Sequence, residues 1–462
     1  MSTKRAVVIG ASLTGLVAAR VLSRHFERVT VIDRDALPGG SENRRGVPQG
    51  RHGHGLLASG FGALKHLFPR IEQDLVGAGA VPGDVIGNVR WFQHGYYKAK
   101  FPSGLGGILQ SRPLLEGTIR EAVRRLPNVT FIDNTHVMGL AADENRRSVI
   151  GVRVQRADGA AVIDASLVVD ASGRSSRSPQ WLEEHGYQPP AIETVEIGLG
   201  YTTRTFKRRG RDLDGDVGAV VGPRPPDLKR VGFALAMEGN RWMVTLGGWL
   251  GEHAPTDPDG FIAFARSLAA PDIYEIVRDA VPLTEAITYA FPSNLRRRYE
   301  KLTRVPAGYL VMGDAVCSFN PFYGQGMSVA ALEGLALDRT LSKRPALDRI
   351  WGPFMKAAAR IVETPWTIAA GSDFAFPGVK GVKPAGTDLV NWYLDRVHRV
   401  ASTDRALCRT FFDVANLLAP STTLFRPSVV ARVVKGCLRP APPARPRPRR
   451  ETRPPMSEGV KV

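Results

Sequence analysis

A short glycine turn near the start of the chain, Gly10-Ala11-Ser12-Leu13-Thr14-Gly15, has the types and spacing to bind phosphate. It follows a β-branched run from Arg5 to Ile9 and leads into Leu16 to Phe26, whose apolar residues recur at helical spacing. A second apolar run, Val29 to Ile32, ends at Asp33, 23 positions after Gly10. This is the order of a βαβ dinucleotide site, G-x-G-x-x-G, with Ser12 standing for the middle glycine. Gly10 allows the tight turn, and Gly15 lets the helix lie close to the strand. A small residue at 12 lets a pyrophosphate approach the backbone N–H groups of the helix start, and Asp33 is placed to accept from a ribose hydroxyl. The plainer alternative is an ordinary βα turn with Asp33 as a solvated strand end. The complete order of strand, turn, helix, strand and acid favours the nucleotide.

Two later passages repeat the pattern of an apolar run ending in Gly or Asp: Val168-Val169-Asp170-Ala171-Ser172-Gly173-Arg174-Ser175, and Tyr309-Leu310-Val311-Met312-Gly313-Asp314-Ala315. The second continues through Asn320-Pro321-Phe322-Tyr323-Gly324-Gln325-Gly326-Met327 into an Ala/Leu-rich helix from Ser328. Strands whose carboxyl ends face one ligand finish in this way, and an acid there can accept from sugar or ribityl hydroxyls. A helix starting after Gly326 offers partial positive charge to a developing anion. Between Asn43 and Gly55 the glycine-rich loop Asn43-Arg44-Arg45-Gly46-Val47-Pro48-Gln49-Gly50-Arg51-His52-Gly53-His54-Gly55 supplies arginines for a second phosphate and histidines for a ring-shaped ligand, or is simply a solvated basic loop. Arg112 precedes a helix predicted from Pro113 to Arg125, where it either reaches the ligand or is a surface charge. Two histidines without neighbouring acids suit a metal poorly, so no metal site is expected.

The elements that position these loops follow from the wider pattern. The chain has 462 residues, enough for two or three units around a large core. It is 43% hydrophobic and 23% charged, which excludes a wholly disordered, collagenous or coiled-coil chain. Residues 196–205, Val231 to Met237 and Trp242 to Trp249 resemble strands, the last two joined at Glu238-Gly239-Asn240, and suggest an antiparallel sheet inserted at 186–295. Trp242 and Met243 suit its core better than a ligand contact. Residues 331–435 are largely helical by pattern, with one amphipathic helix from Asp388 to Leu418. Cys317, Cys408 and Cys437 lack metal or disulfide spacing and fit a reduced compartment. No apolar run is long enough for a membrane span, and a cytoplasmic location is expected.

The net charge is +18, and seven basic residues against two acids fall between Leu438 and Val462. Seven prolines in that stretch preclude a core, so a disordered tail is predicted there. Its arginines could touch acidic lipid at a membrane surface or a carrier protein, though a solubilising extension is the simpler account. The basic balance favours anionic partners, and no nucleic-acid-binding signature accompanies it.

Taken together, the glycine turn with Asp33, Arg112, Asp170-Ala171-Ser172-Gly173 and Gly313-Asp314…Pro321…Gly324-Gln325-Gly326 resemble the FAD-dependent monooxygenases of the p-hydroxybenzoate hydroxylase fold. The motifs stand in the family's order, about 160 and 140 residues apart, and the resemblance runs to about residue 430. Arg44-Arg45-Gly46-Val47-Pro48-Gln49, with Arg51, His52 and His54, and Phe319-Asn320-Pro321-Phe322-Tyr323-Gly324 are similar to bacterial epoxidases of polyether antibiotic pathways, the lasalocid epoxidase among them, and more distantly to squalene epoxidases. The resemblance implies FAD. Gly10, Ser12, Leu13 and Gly15 would hold its pyrophosphate and Asp33 its adenosine ribose. Arg45 and Arg112 would flank the phosphates or flavin, Asp314 would bind the ribityl chain, and Gly324, Gly326 and Met327 would approach the isoalloxazine. Ser12 departs from the family's central glycine. The Asp-Ala-Ser-Gly form of the middle motif leaves the electron donor open between NAD(P)H and a separate flavin reductase.

The expected fold is α/β: a Rossmann-like FAD-binding domain (1–185 and 296–370), an inserted, mainly antiparallel β-sheet substrate domain (186–295), a C-terminal helical region (371–437) and the tail (438–462). The implied reaction moves one oxygen atom from O2, activated as a peroxyflavin, to a hydrophobic alkene-containing natural product, free or carrier-bound, by epoxidation or hydroxylation. No side chain is required as acid or base, so no catalytic residue is assigned. Water must be excluded, which predicts an apolar cavity between the inserted sheet and the flavin with Pro321 and Phe322 in its wall. Competing readings are a flavin-dependent isoprenoid or polyene double-bond reductase, and a basic membrane- or nucleic-acid-docking protein on a vestigial flavin fold.

Overall fold

The computed structural model of the protein describes residues 4–156 and 159–440. A five-stranded parallel sheet is built from β1 (Arg5–Ile9), β2 (Arg28–Ile32), β3 (Val129–Ile132), β4 (Leu167–Asp170) and β5 (Tyr309–Val311), side by side in the order β5-β4-β1-β2-β3. β4 and β5 are buried along their whole length, and β1 beyond its first residue, as in a sheet covered on both faces. Their apolar runs therefore do not alternate. In register, Ile9 lies beside Ile32 and Asp170, and Asp170 beside Val311. That alignment brings the three Gly/Asp strand ends to one edge of the sheet.

The helices that matter to this edge are α1 (Leu13–Leu22), α2 (Arg112–Arg124), α3 (Gly326–Ser342), α4 (Trp351–Asp373), α5 (Thr387–Val400) and α6 (Arg405–Ala415). α1 starts and stops earlier than the Leu16 to Phe26 reading. Gly10, at φ +99°, turns the chain so sharply that Ser12 already occupies the N-cap position. The amphipathic segment from Asp388 to Leu418 is two helices rather than one. Asp404 accepts from Leu407 N at 2.9 Å and caps α6, a competition with helix continuation that apolar periodicity does not register.

The second layer is a nine-stranded sheet. Its spine, Ile192–Lys207, pairs antiparallel with Ile287–Arg297 and Arg241–Gly248, and the sheet continues through Arg230–Met237 to Gly218–Val221. Beyond 186–295 it recruits Val89–Gln93, which runs parallel to Gly218–Val221, and the short strands Tyr96–Tyr97, Cys317–Ser318 and Lys380–Gly381. Strand pairing satisfies an open row of backbone donors and acceptors whatever the distance along the chain, so residues 89–97 belong to this layer in space. Trp242 is fully buried, its Nε1 donating to Asp212 Oδ2 at 2.8 Å, and Met243 is buried beside it. The C-terminal helices α4 to α6 close over this sheet.

Among the described residues no helix is long and apolar enough to cross a membrane, and no His/Cys/Asp/Glu group is arranged to hold a metal ion. The three cysteines are free. Apart from residues 438–440, the Pro/Arg-rich tail lies outside the described residues.

Candidate functional site

At the sheet edge, Gly10 packs so closely on β4 that a Cβ there would stand 2.7 Å from Ala171 O, and a Cβ on Gly15 would strike Gly10 O. Leu13 is buried in the core, anchoring the first turn of α1. The N–H groups of Ser12, Leu13 and Thr14 have no acceptor among the described residues, leaving an open donor set at a helix N-terminus. Asp33 closes one side of this turn. Its Oδ2 accepts from Ala11 N at 2.7 Å, and its Oδ1 accepts from Asp35 N at 2.9 Å and from Arg44 at 3.1 Å. A carboxylate has about four acceptor sites, so capacity for a further donor remains on Oδ2.

The arginines are organised by Glu116, on α2. Arg44 Nε donates to its Oε1 at 2.9 Å, Arg112 Nη2 lies 3.3 Å from Oε2, and Arg120 Nη1 lies 3.6 Å from Oε1. Ser12 Oγ donates to Oε2 at 2.9 Å and accepts from Arg112 Nη2 at 2.9 Å. Burial opposes ionisation of Glu116, but Arg112 and Arg44 hold its carboxyl below the usual range. Ser12 is thus more than a small residue in the turn, because its hydroxyl ties the turn to Arg112. The buried guanidinium of the basic loop belongs to Arg44; Arg45, expected to flank the phosphates or flavin, is exposed. One of these neighbouring side chains is buried and the other exposed, and residue type does not reveal which. His52 is also buried, its Nδ1 2.8 Å from Thr203 Oγ1 and its ring edge-on to Tyr201, so it pins the loop to the large sheet. His54 Nδ1 donates to His52 O at 2.9 Å, and burial together with Arg112 lowers its pKa to about 4.

The third motif lies beside the first. Gly313, at φ +66°, packs against the Thr14 side chain, leaving no room for a Cβ. The Asp314 carboxylate has no hydrogen-bond partner among the described residues; burial raises its pKa, and Arg112 and Arg174 oppose the rise. Arg174 comes from the middle motif. Its Nη2 donates to Ser293 Oγ at 2.8 Å, while Nη1 is buried without a partner. Gly326 and Met327 open α3, and their N–H groups have no acceptor among the described residues. Gly324 takes a left-handed φ of +66° against Gly55. Beneath, Glu333 of α3 accepts from Gly313 N at 2.7 Å, and burial lifts its pKa to about 8.

Pro321 and Phe322 line a cavity of about 570 Å³ between the outer strands of the large sheet and α4, α5 and α6. Trp91, Phe233, Phe376 and Phe411 form much of its apolar wall. Phe322 packs edge-on against Trp249, ring centroids 5.5 Å apart. Asp373, at the end of α4, holds the loop in place by accepting from Trp249 Nε1 (2.8 Å), Asn294 Nδ2 (2.7 Å), Asn320 Nδ2 (2.9 Å) and Tyr323 OH (3.3 Å). Burial raises the Asp373 pKa to about 6 despite these donors.

A dinucleotide fits these residues: open N–H groups at two helix starts, an unbonded carboxylate at Asp314 and an unbonded guanidinium nitrogen at Arg174. Glu116 and Asp373 have no place in the sequence motifs, whereas Arg44 and Arg174 stand there as members of the basic loop and of the middle motif without roles of their own. Of Glu116 and Asp373, Glu116 carried a local signal, its i,i+4 spacing from both Arg112 and Arg120.

Residues 8–70 match the NAD(P)-binding Rossmann-like domain family. The chain is 33% identical to protein Rv3254 of Mycobacterium tuberculosis, over 89% of each chain. It is 24% identical to kynurenine 3-monooxygenase of Salinispora tropica, over 88% of this chain and 85% of that one. Its fold is similar to that of PqsL, a probable FAD-dependent monooxygenase from Pseudomonas aeruginosa, with a TM-score of 0.61, 17% identity, and coverage of 80% of this chain and 96% of that one.

Proposed function

From the premise that this chain belongs to one family with protein Rv3254, and from the resemblance of its motifs to those of FAD-dependent monooxygenases, we propose that it is a monooxygenase of that kind and transfers one oxygen atom from O2 to a hydrophobic, alkene-containing natural product, by epoxidation or hydroxylation. The observation that supports this most is the large apolar cavity whose wall includes Pro321 and Phe322, beside the Gly324–Met327 turn. In this reading the α1 turn and Arg112 hold the pyrophosphate, Asp33 the adenosine ribose and Asp314 the ribityl chain. Gly324, Gly326 and Met327 then border the flavin ring. Arg44 takes the part first assigned to Arg45. Residues 1–185 and 296–370 bind the cofactor, and 186–295, with 89–97 added, covers the substrate.

When bound, FAD supplies the electrons that activate O2, drawn from NAD(P)H or a separate flavin reductase. The chain's own work is positional. Phe322, braced on Trp249, and Pro321 keep water from the reacting face and orient the double bond. The open N–H groups of α3 stabilise negative charge beside Gly326. Atoms balance as alkene, O2, reduced nicotinamide and a proton giving epoxide, water and oxidised nicotinamide.

The test is an absorbance spectrum of the purified protein, followed by mass analysis of product formed under isotopically labelled O2. The expected results are a bound-flavin spectrum and one labelled oxygen atom per oxidation. Alkene-dependent oxidation of NAD(P)H without O2 uptake overturns the proposal in favour of a double-bond reductase.

A further inference from the structure

The cavity is apolar over most of its wall, but one part is not. There the turn between Val89–Gln93 and Tyr96–Tyr97 presents His94, and α5 presents Asp395 and His398. The two imidazoles stack with centroids 4.0 Å apart and planes 11° from parallel. His94 Nδ1 lies 3.2 Å from Asp395 Oδ1, which assigns the proton to Nδ1 and leaves the Nε2 lone pair of the neutral ring without a protein partner. His398 is buried, and its Nδ1 has no partner; Gln93 Oε1, in the same wall, has none either. Such groups cost stability unless something bonds them. Behind the pair, Lys98 Nζ donates to Gln93 O at 3.2 Å and His398 O at 3.0 Å, and burial draws its pKa down to about 7. Burial also holds both histidines below the usual imidazole range, so both rings are neutral before a ligand enters. His94 itself sits at φ +55°, a tight-turn position where Asn or Gly is the ordinary choice. The oxygen transfer proposed above makes no use of this cluster.

We propose that the His94–His398 pair, flanked by Asp395 and Gln93, recognises an ionisable oxygen headgroup, a carboxyl or a phenol hydroxyl, on an otherwise apolar substrate. A phenol O–H donates to His94 Nε2; a carboxylate, already ionised at neutral pH, accepts from that nitrogen once it takes a proton from solvent, forming an imidazolium already bonded to Asp395. This rests on the cavity being the substrate site of the monooxygenase, and it adds what the substrate must carry.

The test measures binding to the FAD-loaded protein by calorimetry with two matched pairs, dodecanoate against dodecanol and para-octylphenol against para-octylanisole. The acidic member of at least one pair binds about tenfold tighter, as expected for a hydrogen bond to a charged group. The first pair marks a carboxyl and the second a phenol. His94→Asn suits the left-handed turn, and His398→Phe keeps a flat ring against His94 and against Phe411, 4.8 Å away. Each variant brings the ratio to within about twofold while the neutral member binds as before. Equal binding within both pairs, no binding of any probe, or a preference that survives in both variants overturns the proposal. Flavin absorbance in the same samples reports on the cofactor separately: discrimination without flavin keeps the headgroup site, and flavin without discrimination removes that site alone.

Discussion

Glu116 gathers three guanidinium groups and the Ser12 hydroxyl around one buried carboxylate. Removing it leaves Arg44, Arg112 and Arg120 as buried like charges, so Glu116→Ala should lower stability by about 3 kcal/mol in chemical denaturation. Arg45→Ala, at an exposed position, should stay within about 0.5 kcal/mol and serves as the control from the same loop. Asp314 gives the complementary case. No protein group bonds its carboxylate, so Asp314→Ala should leave the melting temperature of flavin-free protein nearly unchanged while weakening flavin retention about tenfold or more, read from absorbance after gel filtration. A variant that keeps full flavin occupancy removes Asp314 from the cofactor site.

At the scale of elements, α3 and α4 act as fixtures for the loops at the sheet edge. Glu333 packs under the Gly313 turn with its carboxyl mostly protonated at neutral pH, because burial raises its pKa from 4.5 to about 8. A folded-state pKa above the unfolded one means stability that is full below pH 4.5 and lost as the pH rises through 8. Glu333→Gln keeps an acceptor for Gly313 N and cannot ionise. Wild type should therefore lose stability relative to this variant between those two pH values, and parallel denaturation curves at each pH will show it. Asp373 ties α4 to the Asn320–Gly324 turn through four donors. Asp373→Ala leaves them unpaired and should cost about 3 kcal/mol in the same assay.

Across the whole molecule, loops about 160 and 140 residues apart in sequence meet at one edge because β1, β4 and β5 are neighbours in register. A ligand that binds all three at once binds only the folded chain. FAD at about one hundred times its dissociation constant should then add about 2.7 kcal/mol to unfolding, measured by denaturation with and without the cofactor. No such gain would mean that the folded chain binds FAD no better than the unfolded one.

The elements that carry chemistry announce themselves locally: an uninterrupted apolar strand, a glycine turn and an acid at fixed spacing are enough to expose the βαβ unit, the later strand ends and the start of α3. Short-range sterics and burial set these features, and both are written in consecutive residues. Partner choice is not. Val89–Gln93 joins a sheet formed mostly more than a hundred residues later, Asp404 splits one amphipathic run into α5 and α6, and Arg44 rather than Arg45 turns inward. The meeting of Glu116 with Arg44, and of His94 with His398, depends on how separate elements pack. Those contacts arise from burial and charge balance summed over the folded molecule, which no window of neighbouring residues contains.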